Sequence, residues 1–280
     1  MRLICILLIL FFLTSTQGRA SSDTLRLKDA VNRLMVLGDS LLKGSNDSIR
    51  TEANEHFSAL LDSVLQSAGG TELSFGQVRA LSHARAENQK VRALTWLLQR
   101  ERGNRYDYFG YLILQPDPKL PARVIRLNQN KDLAREDLDF IKSDPSNWLG
   151  CIYYAIHVER YKKKDHYLLL GWAPQSTFTT RKLVEPLQFN TTKVSLGLAV
   201  IKAGGKARHR MVFEYNAQAT MSLRYHEKEK MIVMDHLSSS DPRPEARGMY
   251  QLYGPDLSYD GLKFSKGNWL LLKDIDIRNK

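Results

Sequence analysis

Met221-Ser222-Leu223-Arg224-Tyr225-His226-Glu227-Lys228-Glu229-Lys230-Met231-Ile232-Val233-Met234-Asp235-His236-Leu237 places two short, apolar-rich runs on either side of four charged residues. Short runs with so tight a polar link read as antiparallel strands joined by a hairpin turn. Four turn residues pair His226 with Met231, which sets Arg224 opposite Val233 and Ser222 opposite Asp235. Arg224 is then diagonal to Asp235 on one face of the sheet, and an Arg–Asp ion pair is expected there.

The same grammar extends outward over residues 73–280. Candidate strands are Arg92–Leu98, Tyr106–Leu114, Arg123–Leu127, Leu149–Val158, His166–Trp172, Lys182–Leu187, Val194–Ile201 and Arg210–Tyr215, then the two of the hairpin, then Met249–Tyr253 and Trp269–Asp274. Polar links such as Glu101-Arg102-Gly103-Asn104 and Ala203-Gly204-Gly205-Lys206 separate them, and only Asp132–Lys142 reads as helix in this region. Parallel sheets need a crossover helix after most strands, so the domain is predicted to be antiparallel, a sandwich or a barrel. Tyr259-Asp260-Gly261-Leu262 followed by Gly267-Asn268-Trp269-Leu270 has the look of a propeller blade, but it has no upstream echo at a fixed period, which leaves an irregular propeller-like array as a minority reading.

Ahead of this domain, residues 21–70 read as a helical hairpin. Leu27, Ala30, Val31, Leu34, Leu37, Leu41 and Leu42 form one apolar stripe that stops at Gly44. Ile49, Ala53, Phe57, Leu60, Leu61, Val64 and Leu65 form a second, opened by Asp47-Ser48 and closed by Gly69-Gly70. The class is therefore α+β, a helical hairpin before a large, mainly antiparallel β domain.

Residues 1–20 carry a basic start, an apolar run from Leu3 to Leu13 and small residues around Gly18 and Ala20, the three parts of a secretory signal peptide. The run is too short to span a membrane. Cys5 would leave with the signal, so Cys151, in an apolar run, is the one remaining thiol and reads as buried and inert. Cys5 also lies too early for a lipid-attachment site. The expected product is soluble, free of disulfides, not a lipoprotein, and periplasmic or extracellular. Its formal charge falls from +11 to +9 with the loss of Arg2 and Arg19. No zinc-finger, helix-turn-helix or RNA-binding motif accompanies that charge, so nucleic acid is not expected. A basic solvated surface with no specific partner is the plain reading of that charge; envelope glycan, an anionic lipid surface or another envelope protein are the partners it could suit.

No nucleophile elbow, phosphate loop, zinc helix or cysteine pair is present, and no cofactor or metal is expected. Glu214, Asp235 and His236 are the candidates for acid–base chemistry, with Arg224 beside them; the alternative is a cross-strand ion-pair ladder. His236 with Asp241, or Asp256 with Asp260, could offer metal ligands, although capping of turns is the simpler role for the two aspartates. Trp172, Tyr250, Tyr253, Tyr259 and Trp269 could bind glycans if exposed, or fill the core.

Leu169-Leu170-Gly171-Trp172, Met221-Ser222-Leu223-Arg224-Tyr225, Asp235-His236-Leu237, Tyr253-Gly254-Pro255-Asp256 and Ser258-Tyr259-Asp260-Gly261, with Tyr108-Phe109-Gly110-Tyr111 and Asn147-Trp148-Leu149-Gly150, resemble a family of uncharacterised exported proteins of Bacteroidota over residues 73–280. The resemblance implies export and assigns no residue a role. It also gives meaning to Asp-Ser/Thr-aliphatic tripeptides, which proteins exported by these bacteria often carry as O-glycan sites. Thr24, Ser40, Ser48 and Ser63 stand in such tripeptides, and helix capping is the mundane alternative.

Overall fold

A computed structural model describes residues 25–133 and 135–277. The expected signal peptide at 1–20, Cys5 and the tripeptide residue Thr24 lie outside the described residues. The chain divides into two compact units between Ala80 and Leu81, ten residues beyond the expected end of the hairpin.

The first unit holds two helices, α1 over 25–43 and α2 over Asp47–Gln66. The predicted stripes supply the buried Leu34, Leu41, Ala53, Phe57, Leu61, Val64 and Leu65. Leu42 and Ile49, counted in those stripes, are exposed instead. The cap of α2 is Asn46 rather than Asp47 or Ser48: its side chain accepts from the Ile49 amide at 3.0 Å. Residues 71–80 belong to this unit, and a Cβ on Gly38 would meet Ala80 at 3.1 Å and Val78 at 3.6 Å. Ser48 and Ser63 are exposed, while Ser40 donates to the Val36 carbonyl. No helix among the described residues is long and apolar enough to cross a membrane.

The second unit stacks three open sheets. The first contains β1 (Ser82–Arg85), β2 (Val91–Arg100), β3 (Arg105–Leu114) and β4 (Arg123–Asn128), in that order. The middle sheet is built on β5 (Ile152–Tyr161), β6 (Lys164–Pro174) and β7 (Thr179–Phe189), with β8 (Val194–Leu196) and β10 (Met211–Asn216) both paired to β7. The third contains β9 (Ile201–Lys202), β11 (Leu223–His226), β12 (Met231–Ser239), β13 (Tyr253–Ser265) and β14 (Asn268–Leu272). All strand neighbours are antiparallel except β14 and β9, where Trp269 and Leu270 pair in parallel with Ile201 and Lys202.

One face of the middle sheet sends Leu169, Ala173, Leu183 and Tyr153 against Ala93, Leu112 and Leu127 of the first sheet. The other sends Leu168, Leu170, Val184 and Tyr215 against Ile232, Met234, Leu262 and Trp269 of the third. A sheet covered on both faces needs apolar residues without alternation, which is why Tyr167-Leu168-Leu169-Leu170-Gly171 is buried throughout. The hairpin register is as expected, with His226 opposite Met231 and Arg224 opposite Val233.

Two readings are corrected, and one strand is added. Asp132–Lys142 is not a helix; it holds one short 3-10 turn, Arg135–Asp137, within irregular chain. Its carbonyls are turned elsewhere, since Arg210 donates to the Leu138 and Ile141 oxygens, each at 2.7 Å. Met249–Tyr253 is mostly a 3-10 turn over Tyr250–Leu252, and the strand is β13, which begins at Tyr253. β1 was not foreseen.

Arg210 anchors a charged network inside the unit. Its Nε donates to Glu185 at 2.7 Å and Nη2 to the Ser143 hydroxyl at 2.6 Å, and the side chains of Arg210 and Glu185 are fully buried. Glu185 also accepts from the Tyr153 hydroxyl, which in turn accepts from Trp148 Nε1 at 2.9 Å. Gly197, at φ 73°, leaves room for the guanidinium; a Cβ there would lie 2.6 Å from Nη2. Cys151 is buried nearby, and its thiol pKa is pushed well up by desolvation and then by the Glu185 charge, so it stays a neutral thiol.

His83, in β1 opposite Leu94, gives the fold a pH dependence. Burial, then Arg85 and Arg92, push its pKa down to about 4. An unfolded imidazole takes its proton near 6.5, so stability present at neutral pH is lost as pH falls from about 6.5 to about 4. The urea midpoint of the wild type should fall over that window, and less steeply in His83→Gln.

Candidate functional site

The residues proposed for acid–base chemistry do not share one arrangement. Glu214, on β10, is buried and accepts from Arg181 Nε at 2.8 Å and the Thr179 hydroxyl at 2.9 Å, with Arg135 Nε 3.2 Å away. Asp235 belongs to β12, in another sheet, and its carboxylate accepts from the Ser222 amide at 2.7 Å. That contact replaces the expected ion pair. Arg224 sits at its predicted register but is exposed and forms no ion pair with Asp235, because the backbone N–H of Ser222 is the nearer donor.

His236 occupies an irregularity of β12, between Asp235 opposite Tyr259 and Leu237 opposite Pro255. The break in register lets its Nδ1 reach Asp260 Oδ2 at 2.9 Å, while Asp260 Oδ1 accepts from the Asp274 amide at 3.1 Å. Asp256 accepts from the hydroxyl and amide of Ser258, contacts that hold its pKa below the usual carboxylate range, and it caps a turn. Asp241 is held by Arg243, not by His236. No cluster of three or more His, Cys, Asp or Glu side chains suited to a metal is present among the described residues.

The aromatic candidates separate clearly. Trp269 is core and Tyr259 and Tyr253 are half-buried, with Tyr253 5.7 Å from the Tyr250 ring. Trp172 is different: it is 39% exposed, whereas Trp96, Trp148 and Trp269 are at most 1%. It opens onto a groove of about 810 Å³ that wraps the end of the β6–β7 hairpin.

The groove follows from the ladder. Trp172 on β6 pairs directly with Lys182 on β7, so the two side chains leave the sheet on the same face as neighbours. Thr180 is two residues before Lys182 and shares that face. Tyr154 enters from β5 through a bulge, where Tyr153 pairs with Gly171 and Ala155 with Leu170. The extra residue turns Tyr154 toward the groove while Tyr153 reaches Glu185 on the other side. Tyr154 is fixed by donating to the Leu223 carbonyl at 2.8 Å. Tyr215 closes one side, and Gln99 and Tyr106 of the first sheet close another.

Lys182 is half-buried, with Nζ 5.1 Å from the centre of the Tyr154 ring, and burial draws its pKa below that of a free lysine against the pull of Asp235. The Thr180 hydroxyl is buried without a hydrogen-bond partner among the described residues. No carboxylate lines the groove. Set against family models, curated proteins and solved structures, the chain matches none.

Sequence reasoning found Trp172 and missed the rest. Alternation along Thr180-Arg181-Lys182 could have placed Thr180 and Lys182 on one face, but no pattern announces the bulge that supplies Tyr154.

Proposed function

We propose that the protein is exported, like the Bacteroidota proteins it resembles, that it serves as a non-catalytic binding module of the cell envelope, and that the Trp172 groove holds a saccharide. One observation carries this reading: the sole exposed tryptophan of the chain stands in a groove walled by tyrosines and by Gln, Ser and Thr side chains. A sugar ring has an apolar face and a rim of hydroxyls. It suits a site in which a flat aromatic is ringed by donors and acceptors with few charges. Trp172, Tyr106, Tyr154, Tyr215, Gln99, Thr180 and Lys182 come from strands of two packed sheets, so they are pre-positioned, while Ser176, Thr177 and Thr220 come from the connecting loops.

Native electrophoresis in gels containing xylan, laminarin, dextran or polygalacturonate tests the reading. The wild type should be retarded by at least one polymer, and Trp172→Ala should lose about tenfold or more in affinity, as central aromatic anchors do. Equal retardation of the variant, or retardation by none of the four, overturns it.

A further inference from the structure

We infer that the groove is built for an acidic saccharide, with the anionic substituent of a sugar residue seated on the Lys182 ammonium while the ring lies against Trp172. This rests on the saccharide reading and adds the chemical class. Four features converge on it.

Lys182 is the direct cross-strand neighbour of Trp172, so ring and ammonium stand within the span of one sugar unit. The ammonium is half-buried, and no carboxylate among the described residues reaches it within ion-pair distance, although at least twelve other Lys or Arg side chains among them have such a partner. The nearest negative charge, Asp235, is committed to the Ser222 amide. A half-buried cation offset only by a carboxylate beyond ion-pair distance keeps part of its desolvation cost, and an arriving anion relieves that cost.

Thr180 supplies the second feature: one strand repeat away on the same face, its hydroxyl is nine-tenths buried, lacks a partner and can donate to an anionic oxygen. The third is a groove wall in which no described lining residue is a carboxylate. The fourth is the basic charge, +11 over the full sequence and +9 without Arg2 and Arg19, which raises the local concentration of acidic polymers. A single ammonium does not separate carboxylate from sulfate, and the shared chemistry is an anionic oxygen on a sugar.

The test is a titration of tryptophan fluorescence with trigalacturonate, with the neutral galactose trisaccharide and with a sulfated galactose trisaccharide. Wild-type protein should bind at least one acidic probe about tenfold or more tightly than the neutral one. Lys182→Met should abolish that preference, Lys182→Arg should retain it, and Lys163→Met, which removes the same charge from an exposed hairpin tip, should leave it unchanged. The two acidic arms tell carboxylate from sulfate. Equal affinity for neutral and acidic probes, or a preference that survives in Lys182→Met, overturns the inference while loss of binding in Trp172→Ala keeps the saccharide reading standing. No binding of any probe, or binding untouched by Trp172→Ala, overturns both.

Discussion

Arg210→Met should destabilise the β unit by about 3–5 kcal/mol, the effect of removing one partner from a buried ion pair. The variant leaves Glu185 charged and fully buried, with only the Tyr153 hydroxyl beside it, and frees the Leu138 and Ile141 carbonyls and the Ser143 hydroxyl from their donor. Urea unfolding followed by circular dichroism measures the loss. Arg210→Met with Glu185→Leu should recover a large part of it, because an apolar pair of similar volume carries no stranded charge. A change under about 1 kcal/mol in the single variant would mean that the network is not closed to water.

Trp269→Ala should cost a similar amount, about 3–5 kcal/mol, from the other core. Trp269 is 1% exposed, packs on Phe264 at 5.0 Å and meets the His157 ring edge-on at 5.8 Å. It belongs to the seam between the middle and third sheets, while Arg210 with Glu185 belongs to the opposite face of the middle sheet. The same urea experiment reads it, and a loss below about 1 kcal/mol would contradict a packed third layer.

The β11–β12 register was legible because four polar turn residues between an alternating run, Met221–Tyr225, and an apolar one, Met231–Met234, pair His226 with Met231. β13 was not legible. Its Gly254-Pro255-Asp256 and Asp260-Gly261 read as turn residues, yet they sit in a strand that runs around an irregularity where Leu257 adopts φ 73°. Leu133, Leu138 and Ile141 mimic helical spacing, but what decides that segment is a guanidinium delivered from about seventy residues further along the chain, which no local window contains. The Arg224–Asp235 pair failed for a related reason: register places Cα atoms, whereas the carboxylate chose the closest N–H.

Trp172 could be named from sequence, and its setting could not. Aromatic residues at strand positions are ordinarily core, and exposure depends on where the third sheet stops covering the middle one. Thr180, Lys182, Tyr154 and Tyr215 come from three strands of the middle sheet, while Gln99 and Tyr106 come from two strands of the first. Their meeting is a property of the stacking.

Collisional quenching of tryptophan fluorescence by acrylamide tests the central claim most directly, because Trp96, Trp148 and Trp269 are buried and Trp172 is the one tryptophan the quencher reaches. If the groove holds saccharide, adding the polymer that retards the protein in gels should lower the quenching constant toward that of Trp172→Phe. Quenching that is unchanged at saturating polymer would place the bound sugar elsewhere and contradict the account.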